Sequence, residues 1–565
     1  MRASFRADRR DDHVGNLFDG DRLGHSTSYN GRLQFGWKPS DGTSVNLKLY
    51  GVKSDGDGPI YIGQYRGGQC APTGFLDIYN RCTVSNDDST AAPDSPGSWQ
   101  TNSEVPILEK FQSYGATLRI DQDIGSGTLT SITGWQTGKN LLWANDDGTA
   151  GDLFHSRQES STTQISLELR LATDAAQPLR AVIGAYASYD RITANQGSGS
   201  TTLPGLLGFD YYQGSLARQE TNSYAGFGSF TYDIGERFTI VGGLRYSIEK
   251  KRNLTEVVQL FGFDAVNFTT RDFTEEDLSY TVAVAHFPPD PDFGDLAARF
   301  NVRDTFKRLT WDLTTNFKPT EDMLLFAKVA TGFRSGGFPV GTTNVSRFLA
   351  LTPEKVTSYE VGFKSEWLGR TLRVNGGAYI LDYKDQQVQQ ANPTGPGLIL
   401  SNAASSRIKG AEIEVEIARG GGFNLHGSLG YTDAKYKDYL APVPGVGMFQ
   451  LKGNQLPYAA KWTAAFGCSF EIPVGELKLT LSNDWTYRSR IYFDSFNISR
   501  VGDRAQLVGD AGVGLSDADG AWKLAAYVQN LTNREIKAFA FDVGYVASTI
   551  YAPRRTWGLR ADFAF

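Results

Sequence analysis

Apolar and polar residues alternate with a period of two along much of this chain. In ISLELRL at 165–171 and LTWDL at 309–313, the apolar residues share one parity and the polar residues share the other. The chain also ends this way, because RTWGLRADFAF at 555–565 alternates up to Phe565. A period of two places the two sets on opposite faces of a β-strand. The sequence therefore predicts an all-β fold whose strands each have one apolar face.

The composition suits strands and turns. The 565 residues include 62 glycines, 34 phenylalanines, 26 tyrosines and 10 tryptophans. Mean hydropathy is −0.33, and no run of about 18 apolar residues occurs, which excludes a membrane-spanning helix. The net charge of −6 is spread along the chain without a basic block, so no nucleic-acid partner is expected. The length allows several domains or one large β architecture.

Two kinds of connection between the expected strands take turns along the chain. Short ones, rich in Gly, Pro and Asp, suit tight turns and lie at 38–42, 125–127, 175–178, 318–322, 368–370, 419–422, 473–476 and 517–520. Long polar ones lie at 54–108, 252–304, 339–351, 438–455 and 537–551. Outer-membrane barrels have short periplasmic turns and long extracellular loops. This asymmetry favours a transmembrane, antiparallel, up-and-down β-barrel over a soluble sandwich, which would also alternate.

Aromatic residues recur at strand ends beside the short turns. They are Trp37, Phe317, Trp367, Trp522 and Phe565. Such a row is typical of the aromatic girdle at a membrane interface, whereas the alternative is a scatter of core aromatics. Counting strands by this rule gives about 20, from MRASFRAD at 1–8 running outward to RTWGLRADFAF at 555–565 running inward.

Six segments carry a resemblance to a known family: TGFRSGGF (331–338), TPEKVTSYEVGFKSEWLGRTLRVNGGAYILDYKDQQV (352–388), RIKGAEIEVEI (407–417), LHGSLGYTDAKY (425–436), YVQNLTNREI (527–536) and YAPRRTWGLRADFAF (551–565). With them the chain resembles the barrel of TonB-dependent outer-membrane receptors, of the siderophore-receptor type. The order and spacing of these segments support the resemblance over more than the C-terminal half of the chain. In the N-terminal half, the resemblance lies in the pattern of strands and loops. Phe565 is similar to the terminal aromatic that signals barrel assembly in this family.

The resemblance implies a multi-pass protein of the bacterial outer membrane that takes up a scarce nutrient, with a ferric siderophore complex as the expected cargo. Family members carry a signal peptide, a TonB-interacting segment and a plug before the barrel. Here MRASFRADRRDD begins on a barrel-like strand. Residues 1–565 are therefore expected to be a barrel truncated at its N-terminus, with about 20 of the family's 22 strands. The expected partners are outer-membrane lipid, a small-molecule ligand and, only through a missing plug, the TonB complex; a monomer is expected.

Other functions stay open at this stage. A barrel without a plug would be a passive pore or a non-functional fragment. A soluble adhesin or hydrolase would need the apolar parity set to be buried in protein. Cobalamin, haem, sugars and aromatic breakdown products remain possible cargoes. The five histidines stand far apart, and no HExxH, CxxC, GxSxG or P-loop pattern occurs, so neither an enzyme nor a cofactor or metal site is expected.

Candidate substrate contacts come from the outer ends of the strands, on the parity that faces the lumen. They are Arg334, Tyr383, Asp385, Gln387, Arg488, Arg490 and Tyr492. An arginine can hold carboxylate or phosphate with two hydrogen bonds, and a tyrosine offers a flat face with a polar tip. For any one of them the alternative is a charge ladder in the barrel wall or a contact with a plug.

Cysteines add one expectation. Cys70 and Cys82 bracket APTGFLDIYNR in the first long loop, and the oxidising periplasm permits a disulfide there. Two free loop thiols are the alternative. Cys468 then has no partner and is expected to be a small packing residue of a strand.

Overall fold

The fold is almost entirely β. The computed structural model describes residues 1–65, 97, 99–103, 105–148, 155–174, 177–200, 211–261, 297–340, 350–391, 398–419, 421–443, 447–542 and 546–563. Within these ranges the helical segment is a single 3-10 turn at Ser499–Val501. None of the described helical structure is long and apolar enough to cross a membrane.

Twenty long strands form one antiparallel sheet. In chain order they are β1 (Arg2–Arg10), β2 (Ser26–Ser40), β3 (Thr43–Gly56), β4 (Leu108–Asp123), β5 (Gly127–Asn145), β6 (His155–Thr173), β7 (Leu179–Ser200), β8 (Tyr211–Ile234), β9 (Phe238–Phe261), β10 (Ala297–Thr320), β11 (Met323–Arg334), β12 (Glu354–Trp367), β13 (Leu372–Ala391), β14 (Leu398–Arg419), β15 (Phe423–Val443), β16 (Trp462–Val474), β17 (Leu477–Arg488), β18 (Gln506–Asp517), β19 (Trp522–Gln529) and β20 (Thr556–Phe563). The predicted up-and-down architecture of about 20 strands is confirmed.

Each strand pairs with the next in sequence, from the β1–β2 ladder to the β19–β20 ladder. The described residues of β1 and β20 do not form a ladder with each other. They nevertheless lie near enough for Arg6 and Arg560 to repel. Their side chains are mostly exposed, including Phe5 at 73% and Leu559 at 86%. A seam with two unpaired edges therefore runs along the barrel.

The two parities face different surroundings, as the alternation predicts. Leu309, Trp311 and Leu313 on β10 are 53%, 41% and 47% exposed. An exposed apolar band of this kind is what the lipid face of a membrane barrel requires. On the opposite parity, Arg373 Nη1 lies 3.0 Å from Glu416 Oε2, so the lumen wall carries the charge ladder considered above.

The short turns lie at one end of the barrel, where the aromatic girdle was predicted. Trp37 and Trp367 are 65% and 52% exposed, and Phe317 stacks on Phe238 with ring centroids 4.5 Å apart. Trp522 lies opposite Phe563 across the last ladder. Phe565 lies outside the described residues.

Glycines make room for aromatic rings on the neighbouring strand. Among the described strands, eight aromatic rings pack closely against a glycine directly opposite: Tyr50–Gly115, Tyr114–Gly51, Phe227–Gly184, Phe326–Gly362, Phe363–Gly376, Tyr379–Gly410, Trp485–Gly509 and Tyr527–Gly558. A Cβ atom added at any of these glycines would lie under 3.0 Å from a ring atom. The ring thus covers backbone that a glycine leaves bare, a known device for fixing strand register.

At the other end the connections pack into a layer of their own. Ile62–Tyr65 pairs with Val546–Tyr551, which pairs with Lys537–Asp542. Two small sheets accompany this loop sheet. In one, Val14–Asn16 pairs with Arg22–Leu23 and with Gln100–Thr101; in the other, Ile491–Tyr492 pairs with Gly502–Asp503. The short strand Gly447–Gln450 pairs antiparallel with the outer end of β15. Buried apolar clusters lie here, one of them formed by Val388, Ala404, Tyr436, Tyr439, Ala441 and Leu451.

Replacing Gly410 by alanine is expected to destabilise the barrel by about 1–3 kcal/mol, the usual cost of overpacking. The new methyl group would meet the ring of Tyr379. The matched control is Gly36→Ala, whose added Cβ meets nothing within 4 Å. Urea unfolding of both variants in detergent micelles measures the difference; equal stability would show that the ring has space to move aside.

Candidate functional site

Arg334 and Gln387 meet at the outer end of β11. Gln387 Nε2 donates to the carbonyl oxygens of Ser335 at 3.0 Å and Thr352 at 3.1 Å. Its backbone N–H donates to Glu354 Oε2 at 3.0 Å. Gln387 therefore fixes the segment after β11 through hydrogen bonds to its backbone. Arg334 is exposed beside it and forms no ion pair or side-chain hydrogen bond with the described residues.

Tyr383 and Asp385 lie at a bulge of β13. The register with β14 shifts between Tyr383 and Gln386, and Asp385 has a φ of 55°. Lys355 Nζ lies 3.1 Å from Asp385 Oδ2. Because a bulge adds a residue to one strand only, the alternation assumed for positions 383, 385 and 387 is interrupted there. The half-exposed carboxylate of Asp385 thus forms an ion pair with Lys355.

Arg488, Arg490 and Tyr492 form a second sector after β17. Arg488 pairs with Asp503, whose side chain is only 5% exposed. Gln506 Nε2 adds two hydrogen bonds of 3.2 Å to the same carboxylate. The Arg488 side chain is thus engaged in holding the loop. Arg490 is exposed and, within the described part of the chain, makes no ion pair.

An aromatic cluster between the loops completes this end of the barrel. The rings of Tyr61 and Phe541 are 5.6 Å apart, those of Phe493 and Phe539 6.3 Å, and those of Tyr458 and Phe493 5.1 Å. Four separate connections contribute to it. Sequence reasoning missed the cluster, although the alternation in KAFAFD at 537–542 is a signal that could have indicated it.

Buried carboxyl groups support the loop layer. Burial raises the pKa of Asp494 to about 6, against the opposing effect of backbone N–H donors from Ile498 and its neighbours. Burial likewise raises the pKa of Asp146, just after β5, to about 7. Both groups therefore take up a proton more readily in the folded protein than in the unfolded chain.

One group of described residues has the composition of a metal site. Ligand atoms of Asp12, His25 and Asp57 lie within 4.8 Å of one another. However, Asp57 Oδ2 already accepts hydrogen bonds from the backbone N–H groups of Gly24 at 2.5 Å and His25 at 3.2 Å, and it lies 3.0 Å from His25 Nδ1. These contacts explain why the three residues lie together: Asp57, just after β3, is hydrogen-bonded to Gly24 and His25, just before β2.

One of the three cysteines, Cys468, lies among the described residues. Cys70 and Cys82 lie outside the described residues, so their disulfide stays a prediction. Cys468 is a free thiol on β16, and its sulfur accepts a hydrogen bond of 3.2 Å from Asn483 Nδ2. That contact with the neighbouring strand fits the packing role expected for it.

Comparison with known proteins identifies the family. The family described as "TonB dependent receptor-like, beta-barrel" matches residues 7–531. The chain belongs to the TonB-dependent receptors. The barrel belongs in the outer membrane and is not an enzyme, so the soluble adhesin or hydrolase is ruled out.

Relatives and solved structures agree with this assignment. The pesticin receptor of Yersinia pestis is 23% identical over 405 residues, which are 70% of this chain and 51% of the relative. This TonB-dependent receptor chain therefore spans about half the length of such relatives. The ferric yersiniabactin uptake receptor FyuA from Yersinia pestis superposes with a TM-score of 0.76 at 16% identity, covering 99% of this chain and 74% of that one. The siderophore receptor PiuA from Acinetobacter baumannii gives 0.67 at 15%, covering 99% and 76%.

The loop that contains Asp494 is expected to lose stability as the pH rises through about 6. The carboxyl has a higher pKa when folded than when unfolded, so the stability it contributes is present at low pH and is lost when it ionises. Hydrogen-exchange protection factors for residues 491–501 should fall between pH 5 and pH 7.5, and Asp494→Asn should reduce that fall. Asp519→Asn, at an exposed turn, is the control. An equal fall in the Asp494→Asn protein would contradict the assignment.

Proposed function

We propose that this barrel takes up a ferric siderophore complex across the outer membrane with energy from the TonB system. The family match over residues 7–531 carries the proposal. The names of the FyuA and PiuA structures give those proteins siderophore cargoes. The mouth supports the same class, because the exposed ring of Tyr458 and the exposed side chains of Arg334 and Arg490 suit ligands that are both aromatic and anionic.

The two sectors contribute to this role in different ways. Arg334 and Arg490 are exposed and have no ion-pair partner among the described residues, whereas Gln387 and Arg488 are engaged with the protein itself. Asp385 repels anions unless Lys355 neutralises it, and the 3.1 Å contact does so. We therefore assign Arg334, Arg490 and Tyr458, the exposed ring of the aromatic cluster, to ligand contact. We assign Gln387 and Arg488 to positioning the loops.

Uptake by the full gene product in the source cells tests the function. Radiolabelled iron is supplied as catecholate, hydroxamate or phenolate complexes, with and without a protonophore that removes the proton-motive force. We expect one class to accumulate, and only when the membrane is energised. A deletion strain is the control. Energy-independent entry of many small solutes would instead indicate the passive pore.

A pair of arginine variants separates binding from positioning. Arg334→Gln should weaken binding of the transported complex about tenfold, the order of a charged hydrogen bond, with unchanged thermal stability. Arg488→Gln should lower stability, because it leaves Asp503 buried without its cation. Ligand titration by tryptophan fluorescence and thermal unfolding measure the two effects. Unchanged affinity in the Arg334→Gln protein would remove that residue from the site.

The seam supports a further part of the proposal. Backbone groups on the unpaired edges of β1 and β20 would be costly inside a bilayer. We propose that additional strands complete the barrel there, which makes residues 1–565 part of a longer barrel, as the sequence predicted. It also stays a prediction that the native protein has a plug and a TonB-contacting segment before this barrel. The native protein extracted from outer membranes should then have an intact mass well above 61.9 kDa; a mass equal to that value would overturn this proposal alone.

A further inference from the structure

A lysine near the outer end of β9 contacts the segment that follows β11. Lys251 Nζ donates a hydrogen bond to the carbonyl oxygen of Gly336 at 2.9 Å. In the sheet, β10 lies between β9 and β11. The ammonium group of Lys251 lies 5.8 Å from the ring centroid of Phe306 on β10. Lys251 thus joins its own strand to a segment two strands away, and we name residues 335–338 the anchored segment.

The anchored segment packs closely against its surroundings. Residues 336–338 are buried. A Cβ atom added at Gly336 would lie under 3.0 Å from the carbonyl oxygen of Leu351 and from the ring of Phe306. A side chain at this position would therefore push the segment away. Glycine permits the close approach that brings the carbonyl oxygen within reach of Lys251.

Two further hydrogen bonds hold the carbonyl groups on either side. The carbonyl oxygen of Ser335 accepts from Gln387 Nε2 at 3.0 Å, and that of Gly337 accepts from the backbone N–H of Leu351 at 2.8 Å. Three successive carbonyl groups therefore have donors from three separate elements, namely β13, β9 and the residues before β12. Arg334 directly precedes these residues, so its side chain projects from a backbone that is fixed on one side.

The charge of Lys251 is neutralised within the protein. Its Nζ lies 3.3 Å from Glu249 Oε2, and its side chain is 15% exposed. Arg334, by contrast, is exposed. A hydrogen bond from a charged donor is roughly twice as strong as one between neutral groups, so Lys251 is the strongest of the three donors. Lys251 therefore contributes to geometry, whereas the attraction of an anion is left to Arg334.

We propose that Lys251 is a positioning residue for ligand binding. It holds the anchored segment and thereby fixes the place of Arg334 at the mouth, without touching the ligand itself. This role rests on the proposed function, in which Arg334 contacts an anionic iron complex. A binding group that is already in place lowers the entropic cost of ordering it when the ligand binds. For one long side chain that saving corresponds to roughly twofold to tenfold in affinity.

Hydrogen exchange tests the anchoring without any ligand. The variant Glu249→Gln/Lys251→Met removes the hydrogen bond to Gly336 and leaves the net charge of the protein unchanged. We expect the amide of Gly337 to exchange about tenfold faster than in Glu249→Gln alone, the order of one charged hydrogen bond. Lys251→Arg keeps a cationic donor and should retain the protection. Lys250→Met, at an exposed neighbouring position, is the control and should leave it unchanged. Equal exchange in the two Glu249→Gln proteins would overturn the proposal.

A double-variant cycle tests the action on the ligand. The probes are ferric catecholate, hydroxamate and phenolate complexes, and tryptophan fluorescence measures the affinity for each complex that the unaltered protein binds. Glu249→Gln/Lys251→Met should bind roughly twofold to tenfold more weakly than Glu249→Gln. In an Arg334→Gln background the same change should have no further effect, because residues that act through one another are not additive. Lys251→Arg should restore most of the affinity.

The outcomes separate the positioning role from the proposed function. Equal weakening with and without Arg334 would overturn the positioning role, because Lys251 would then act on the mouth as a whole. Unchanged affinity in the presence of Arg334 would also overturn it. Both results leave the proposed function intact. If the unaltered protein binds none of the complexes, the proposed function is contradicted and the positioning role with it. Circular dichroism and thermal unfolding check that each variant folds.

Discussion

The structure depends on the satisfaction of backbone hydrogen bonds in a medium that offers none. Water is absent from the bilayer core, so each N–H and C=O group of a membrane strand needs a partner on the next strand. Nineteen successive ladders from β1 to β20 provide those partners. Side chains are then free to follow the alternation, with leucine and tryptophan toward lipid and arginine and glutamate toward the lumen. The seam between β1 and β20 is a place among the described strands where this requirement is unmet.

The features that repeat locally could be predicted from the sequence. Alternation in segments such as 165–171 and 309–313 indicated both faces of the strands, and Gly, Pro and Asp marked the turns. Contacts between distant loops could not be predicted this way. Examples are the bulge at Asp385, the hydrogen bonds of Gln387 and the pairing of Arg488 with Asp503. Each depends on which loops contact one another, and the period-two alternation carries no information about that.

Charge is distributed according to the surface that must hold it. In the lumen wall, Arg373 and Glu416 neutralise each other across strands. At the mouth, the buried Asp503 neutralises Arg488, whereas Arg334 and Arg490 are exposed. On the outer surface, Arg252 lies between Glu220 on β8 and Arg303 on β10. The same residue types are thus arranged differently in the lumen wall, at the mouth and on the outer surface.

The loop sheet has a consequence for the order in which the chain folds. Ile62–Tyr65 pairs with Val546–Tyr551, so two segments separated by roughly 480 positions must meet. Bringing such distant segments together has a large entropic cost unless the intervening chain is already compact. Most hairpins of the barrel, by contrast, join neighbours in sequence. The loop sheet is therefore expected to form last, after the barrel has brought together the segments near the two ends of the chain.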